Sequence, residues 1–117
     1  MKLYDSELKV MEVLWREGDL YAGILAKILK KEIGWNRNTT YTVIKKCIDK
    51  GAIERYGDKF MCKAVISKEE VQKYETAELI NKMYGGSIEK FFASFLNTTP
   101  LSNDEIDKLK HMVEHLK

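Results

Sequence analysis

Residues 36–46, Asn-Arg-Asn-Thr-Thr-Tyr-Thr-Val-Ile-Lys-Lys, gather the side-chain types that touch nucleic acid. Asn and Thr carry short donors and acceptors that reach base edges in a groove. Arg and Lys neutralise phosphates. Wound as a helix from about Arg37 or Asn38, the stretch has two unlike faces. Thr40, Val43, Ile44 and Cys47 fall at helical spacing and form a mostly apolar stripe. Asn38, Thr39, Thr42, Lys45 and Lys46 fall on another face that is short, polar and basic. In this reading Arg37, Lys45 and Lys46 meet phosphates, joined by Arg55 and Lys59 from further along the chain. Asn38, Thr39, Tyr41 and Thr42 read base edges or thymine methyls. The bland alternative is a surface helix with a solvated polar face. Its neighbours decide between the two.

Those neighbours must position the helix. Asn36 and Asn38 both suit its N-cap, and Gly51 after Lys50 suits its stop. A first helix opens at Tyr4 or Asp5, buries Leu8, Met11, Leu14 and Trp15, and ends at Gly18-Asp19. Leu20-Tyr21-Ala22 is too short to assign, a stub of strand at most. Ile24, Leu25, Ile28 and Leu29 define a second helix to about Glu32, and Ile33-Gly34-Trp35 turns the chain into the third. Two helices joined by a Gly-containing turn make a helix-turn-helix. From Ala52 the period changes to that of a two-stranded hairpin, Ala52–Tyr56 and Lys59–Lys63 about Gly57-Asp58. Ile53, Phe60 and Cys62 point inward, and Arg55 and Lys59 flank the tip. Three helices followed by such a hairpin predict a winged helix, with the third helix in a major groove and the wing on adjacent backbone.

The remainder reads as helix. Ser67-Lys68-Glu69-Glu70 is a capping box opening a helix to about Tyr84, with Val71, Tyr74, Ala77, Ile80 and Tyr84 as its apolar line. After Gly85-Gly86, Ile88, Phe91, Phe92, Phe95 and Leu96 share one face of a short helix. Pro100 and the box Ser102–Glu105 start a last helix through Ile106, Leu109, Met112, Val113 and Leu116. Three short helices do not bury that many aromatic and aliphatic groups among themselves. A second copy covers them, at ~25 cal/mol per Å² of apolar area removed from water. The fold class is therefore mostly α with a small β hairpin: a winged helix-turn-helix domain over 1–66 and a three-helix dimerisation region over 67–117. The homodimer face comprises Tyr74, Ile80, Tyr84, Ile88, Phe91, Phe92, Phe95, Leu109 and Val113. The competing arrangement folds these helices back onto the winged helix in a monomer.

Composition bounds the rest. With 117 residues, 44% hydrophobic and 32% charged, the chain holds one ordinary domain or two small ones. No apolar run approaches the ~18 residues of a membrane span, and no leader pattern opens the chain, so no membrane insertion and a cytoplasmic location are expected. Net charge is +2, but residues 1–66 hold 13 Lys/Arg against 9 Asp/Glu, and 67–117 hold 7 against 9. A basic first half suits a polyanion-binding module. Cys47 and Cys62 form no CxxC, so neither a zinc site nor a disulfide framework is expected. Cys47 reads as a buried small hydrophobe, with redox sensing the minority reading, and Trp15 and Trp35 read as packing residues. His111 and His115 stand four apart but lack the HExxH order and a third ligand, so a solvated face is preferred and no metal or cofactor is expected. No Ser/His/Asp or Cys/His arrangement suggests an enzyme. The alternative to a DNA binder is a winged-helix protein-protein interaction module that does not bind DNA.

The chain also resembles a known family over nearly its whole length, the BlaI/MecI/CopY-type (penicillinase repressor) regulators of bacterial β-lactam and copper resistance genes. The matching stretches are Glu7–Trp15, Trp35–Ile44, Lys50–Ile53, Tyr84–Ser87 and Leu101–Ile106. The resemblance implies a homodimeric winged-helix repressor on inverted-repeat double-stranded DNA operators with TACA/TGTA-like half-sites. Thr39 and Thr42 occupy the family's two recognition-helix threonines, and Lys46 its basic position. Tyr41 and Lys45 depart from better-known members, and Tyr4 stands where the family often has a capping Ser. In β-lactam-responsive members a membrane sensor-protease signal leads to cleavage at an Asn-Phe bond in the dimerisation helices. The equivalent here is Ser94-Phe95, with the Phe kept and the Asn replaced. Copper-responsive members end in a cysteine-rich site, which has no counterpart after Cys62.

Overall fold

The first helix, α1 (Asp5–Glu17), begins where the Glu7 carboxylate turns back to accept the Tyr4 N–H at 2.8 Å. Its inner face is broader than the stripe read from spacing. Val10, Met11, Val13 and Leu14 are fully buried, and Leu8 and Trp15 pack at the edge. Leu20–Tyr21 is a true strand, β1, and leads directly into α2 (Ala22–Ile33). Here the expected stripe shifts: Ala22, Leu25, Ala26 and Leu29 are buried, while Ile24 is 41% exposed. Two alanines, Ala22 and Ala26, take places on the inner face, and Ile24 lies outside it.

Gly34 ends α2 in the left-handed conformation (φ +75°), its N–H donating to the Lys30 carbonyl at 3.0 Å. The short turn to α3 (Arg37–Asp49) closes on Asn36, whose side chain accepts the Thr39 N–H at 2.8 Å. Asn36 is thus the N-cap, and Asn38 lies inside the helix. After Gly51 (φ +81°) come β2 (Ile53–Tyr56) and β3 (Met61–Ala64). The expected two-stranded hairpin is in fact part of a three-stranded antiparallel sheet of order β1-β3-β2. Leu20 pairs with Cys62 and Tyr21 with Met61, while Arg55 pairs with Cys62 on the other side. Periodicity has no purchase on a two-residue strand, so only pairing reveals it.

The computed structural model describes residues 1–116, and they divide into two compact units, Met1–Thr76 and the residues from Ala77 on. The division falls later than the change of pattern at 66/67, because the first half of α4 (Lys68–Tyr84) belongs to the winged-helix core. Val71 is 3% exposed there, Glu75 accepts the Leu3 N–H, and Lys68 pairs with Glu12 at 3.2 Å. Trp15 adds a bond from its indole N–H to the Ile66 carbonyl at 2.9 Å. The second unit contains α5 (Ile88–Thr98) and α6 (Asn103–Glu114), capped by Ser87 and Ser102. Neither helix has a single buried residue.

One ion pair secures the core to the end of α3. Glu7 is 2% exposed, and its carboxylate takes Lys50 Nζ at 2.7 Å. Lys50 also donates to the Lys2 carbonyl at 3.0 Å and lies 4.5 Å from the centre of the Tyr4 ring. Burial alone raises the Glu7 pKa, but the bonds from Lys50 and from the Tyr4 N–H outweigh it, and the group ends below its ordinary 4.5. A depressed carboxylate contributes stability that is present above its unfolded pKa and lost as pH falls through the folded value. Glu7→Gln therefore lowers urea stability at pH 7 by roughly 1–3 kcal/mol and flattens the acid limb of the stability curve below about pH 4.5. Equal acid sensitivity in variant and wild type refutes this role.

Candidate nucleic-acid interface

A helix buried along one side has little choice about what it shows on the other. Thr40, Val43, Ile44 and Cys47 of α3 are all buried, with 5% exposure at most. Asn38, Thr39, Thr42, Lys45 and Lys46 are consequently all exposed, together with Arg37 in the first turn. Thr42 Oγ donates to the Asn38 carbonyl at 2.9 Å, which fixes its rotamer and leaves its methyl and lone pairs outward. The wing brings Arg55 and Lys59, also exposed, from β2 and from the tip. Thus α3 and the wing hold every basic residue expected at the site, all within the first unit.

Tyr41 behaves differently from the other residues expected to read bases. It is half-buried, its ring packs edge-on against Phe60 with centroids 5.9 Å apart, and its hydroxyl accepts from Arg37 Nη2 at 2.8 Å. Sequence spacing missed Phe60 as part of the site. It read as an inward-facing residue, yet the face of its ring carries the Arg55 guanidinium 3.9 Å from its centre. Lys59 Nζ lies 5.9 Å from the Tyr21 ring, and the Tyr56 hydroxyl donates to Asp19 at 2.7 Å, which ties the wing to the start of β1. That bond raises the Tyr56 pKa.

Burial pushes the Cys47 thiol up to about 12 and the Cys62 thiol to about 11, so both remain protonated and function as core groups. The His111 and His115 rings lie tilted at 52° with centres 5.5 Å apart, and no group of three or more metal-ligand residues occurs among the described residues. No helix among the described residues is long and apolar enough to cross a membrane.

A helix-turn-helix, a three-stranded sheet with a basic hairpin, and a polar, basic outer face on the third helix together define a winged-helix protein. The family model described as "Penicillinase repressor" matches residues 3–115, and the chain belongs to that family. It is similar to the penicillinase repressor of Bacillus licheniformis, at 27% identity over 99% of this chain and 92% of that one. The methicillin resistance regulatory protein MecI of Mammaliicoccus sciuri is 26% identical over 96% of this chain and 93% of its own length. Among solved structures, the monomeric form of Bacillus licheniformis BlaI in complex with the blaP half-operator matches with a TM-score of 0.52. Its sequence identity is 28%, over 60% of this chain and 88% of that one.

One inner-face residue of α3 is not chemically satisfied. Thr40 is fully buried, and its hydroxyl has no hydrogen-bond partner among the described residues. An unpaired buried hydroxyl costs roughly 1–3 kcal/mol, and valine has the same shape without it. Thr40→Val is therefore expected to raise urea stability by about 1 kcal/mol without altering the exposed face. A loss of stability of that size would show that the hydroxyl has a partner.

Proposed function

We propose that this chain is a transcriptional repressor that binds, as a homodimer, an inverted-repeat DNA operator and acts by occupying it. The observation that carries the reading is the outer face of α3, where Asn38, Thr39, Thr42, Lys45 and Lys46 stand exposed beside a wing bearing Arg55 and Lys59. Membership of a repressor family, and a structural relative held on a half-operator, support the same reading. In this reading the lysines and arginines neutralise phosphates and supply most of the affinity. Asn38, Thr39 and Thr42 supply discrimination at base edges and thymine methyls. Two α3 helices related by a two-fold axis face successive major grooves, so the half-sites mirror the symmetry of the dimer.

The apolar surface of the second unit supports the dimer. Phe91 packs against Tyr84, Phe92 and Phe95 with ring centres 5.4–6.2 Å apart, yet Ile88, Phe92, Phe95 and Leu96 remain 40–60% exposed. Val113 is 65% exposed, and Phe92, Phe95, Leu96, Leu101, Ile106, Leu109 and Val113 line an open groove of about 440 Å³. Leaving that much apolar area in water is costly, and a second copy removes it. Induction by a sensor-protease signal acts on the same region. The Ser94-Phe95 bond lies within α5, where the Ser94 carbonyl accepts from Thr98 Oγ at 2.8 Å and Ser94 Oγ meets the Tyr84 hydroxyl at 3.3 Å. A protease takes its substrate extended, so cleavage there requires α5 to unwind first.

Fluorescence anisotropy on a labelled inverted-repeat duplex with TACA/TGTA half-sites, against a scrambled duplex, tests the reading. With 6–10 phosphate contacts, affinity falls by ~10³–10⁵ between 50 and 200 mM salt. Lys46→Ala weakens binding to both duplexes and makes the salt slope shallower by about 1, while Thr39→Ala lowers the preference for the operator roughly tenfold. Wild-type affinity in both variants removes α3 as the reading face. No binding at any salt favours a protein-binding winged helix instead. For the dimer, Phe92→Glu is expected to shift the sedimentation of the full chain from dimer to monomer at micromolar concentration, and unchanged association would exclude that face.

A further inference from the structure

The chain has three arginines, Arg16, Arg37 and Arg55. Arg16 is neutralised by Glu17 at 2.9 Å and Glu32 at 2.6 Å. Neither Arg37 nor Arg55 has a carboxylate within 4 Å among the described residues. Both rest instead on aromatic rings. Arg37 lies 4.8 Å from the centre of the Tyr41 ring and donates to that residue's hydroxyl at 2.8 Å. Arg55 lies 3.9 Å from the centre of the Phe60 ring. The two rings in turn meet edge to face at 5.9 Å. The result is a continuous row, Arg37–Tyr41–Phe60–Arg55, running from the first turn of α3 through the turn before β3 to β2, the first strand of the wing.

We propose that Tyr41 and Phe60 are positioning residues: they hold the Arg37 and Arg55 guanidinium groups charged and in place for two backbone phosphates, and lock the wing to the recognition helix. This rests on the DNA-binding reading above and assigns Tyr41 a role other than base contact. The physical basis lies in the difference between an aromatic face and a carboxylate as partner. A carboxylate fixes a guanidinium but cancels its charge, and a phosphate must then compete with it. A ring face restrains the planar group through its quadrupole, leaves the charge intact and leaves the N–H edge unoccupied. Arg37 uses one N–H on Tyr41, and the rest of its fork remains for an anion. Side chains already held in place lose less rotamer entropy when the phosphate arrives. The edge-to-face contact adds coordination. Phe60 lies in the turn before β3, and its carbonyl accepts the Ala22 N–H at 2.8 Å, so the wing is tied to both helices of the helix-turn-helix where the row crosses between them.

The test uses the full chain, the inverted-repeat duplex and a salt series with Phe60→Leu, Arg55→Ala and the double variant, and Phe60→Trp as the conservative replacement. Phe60→Leu keeps the apolar volume and removes the ring face. It is expected to weaken binding roughly 3–10-fold at 0.1 M salt and to make the log K against log salt slope shallower by up to ~0.9, the share of one phosphate contact. Added to Arg55→Ala, it causes little further loss, and Phe60→Trp restores the slope. A wild-type slope in Phe60→Leu, or a loss that adds in full to that of Arg55→Ala, overturns the proposal, since a purely structural role lowers the melting temperature without changing the number of phosphates contacted. A second readout needs no DNA: the Arg55 side-chain protons carry an upfield ring-current shift in NMR spectra, and Phe60→Leu abolishes it. Absence of that shift in wild type overturns the stacking itself. If the shift is present and wild type binds no duplex at any salt, the DNA-binding reading fails, and the phosphate role of the row fails with it.

Discussion

Burial of one side of α3 is the constraint on which the rest of the first unit depends. Thr40, Val43, Ile44 and Cys47 are packed into a core supplied by α1, α2, the sheet and the start of α4. Because a helix repeats every 3.6 residues, burying those four sends Asn38, Thr39, Thr42, Lys45 and Lys46 outward as a group. No side chain on the outer face needs an individual contact to place it. The core holds the helix, and the helix presents the surface. That rigidity suits a reading surface, where an error of an ångström breaks a hydrogen bond to a base edge.

The ends of α3 are secured by means other than burial. At its N-terminus the Asn36 cap satisfies the Thr39 N–H. At its C-terminus Lys50 reaches back to the buried Glu7 of α1. The Glu7 carboxylate is also bonded to the N–H that begins α1, so one group organises two helix ends. The aromatic contact between Tyr41 and Phe60 then links α3 to the wing. Helix and hairpin therefore form a single surface.

The second unit follows different physics. Its helices are well capped: Ser102 and Glu105 exchange bonds at both ends of a capping box, and the bond lowers the Glu105 pKa. Capping makes helices but not a core. With no residue of α5 or α6 buried, the apolar side chains that ought to stabilise the unit face solvent. A protein fold is held by area removed from water, and the dimer proposed above is the arrangement that would remove this one.

Much of this was legible in the chain itself. The order of helices and hairpin, the buried stripe of α3, the Ser67 cap and the capping box at Ser102 all follow from local rules: period 3.6 against period 2, short polar caps, and glycine where the backbone turns left-handed. The family resemblance lay in the same stretches. What the chain did not disclose depends on residues far apart in sequence. Leu20 and Tyr21 become a strand because Cys62 and Met61 pair with them. The first half of α4 joins the winged-helix core because Val71 finds a place in it. Tyr41 and Phe60, nineteen positions apart, meet only once the wing folds over the helix, and the positioning role proposed for the two rings rests on that meeting. Local sequence determined which elements form and which face of each is apolar, since those are properties of neighbouring residues. Tertiary structure alone decided which side chains from different elements share a surface, because that depends on packing between parts of the chain that no local pattern connects.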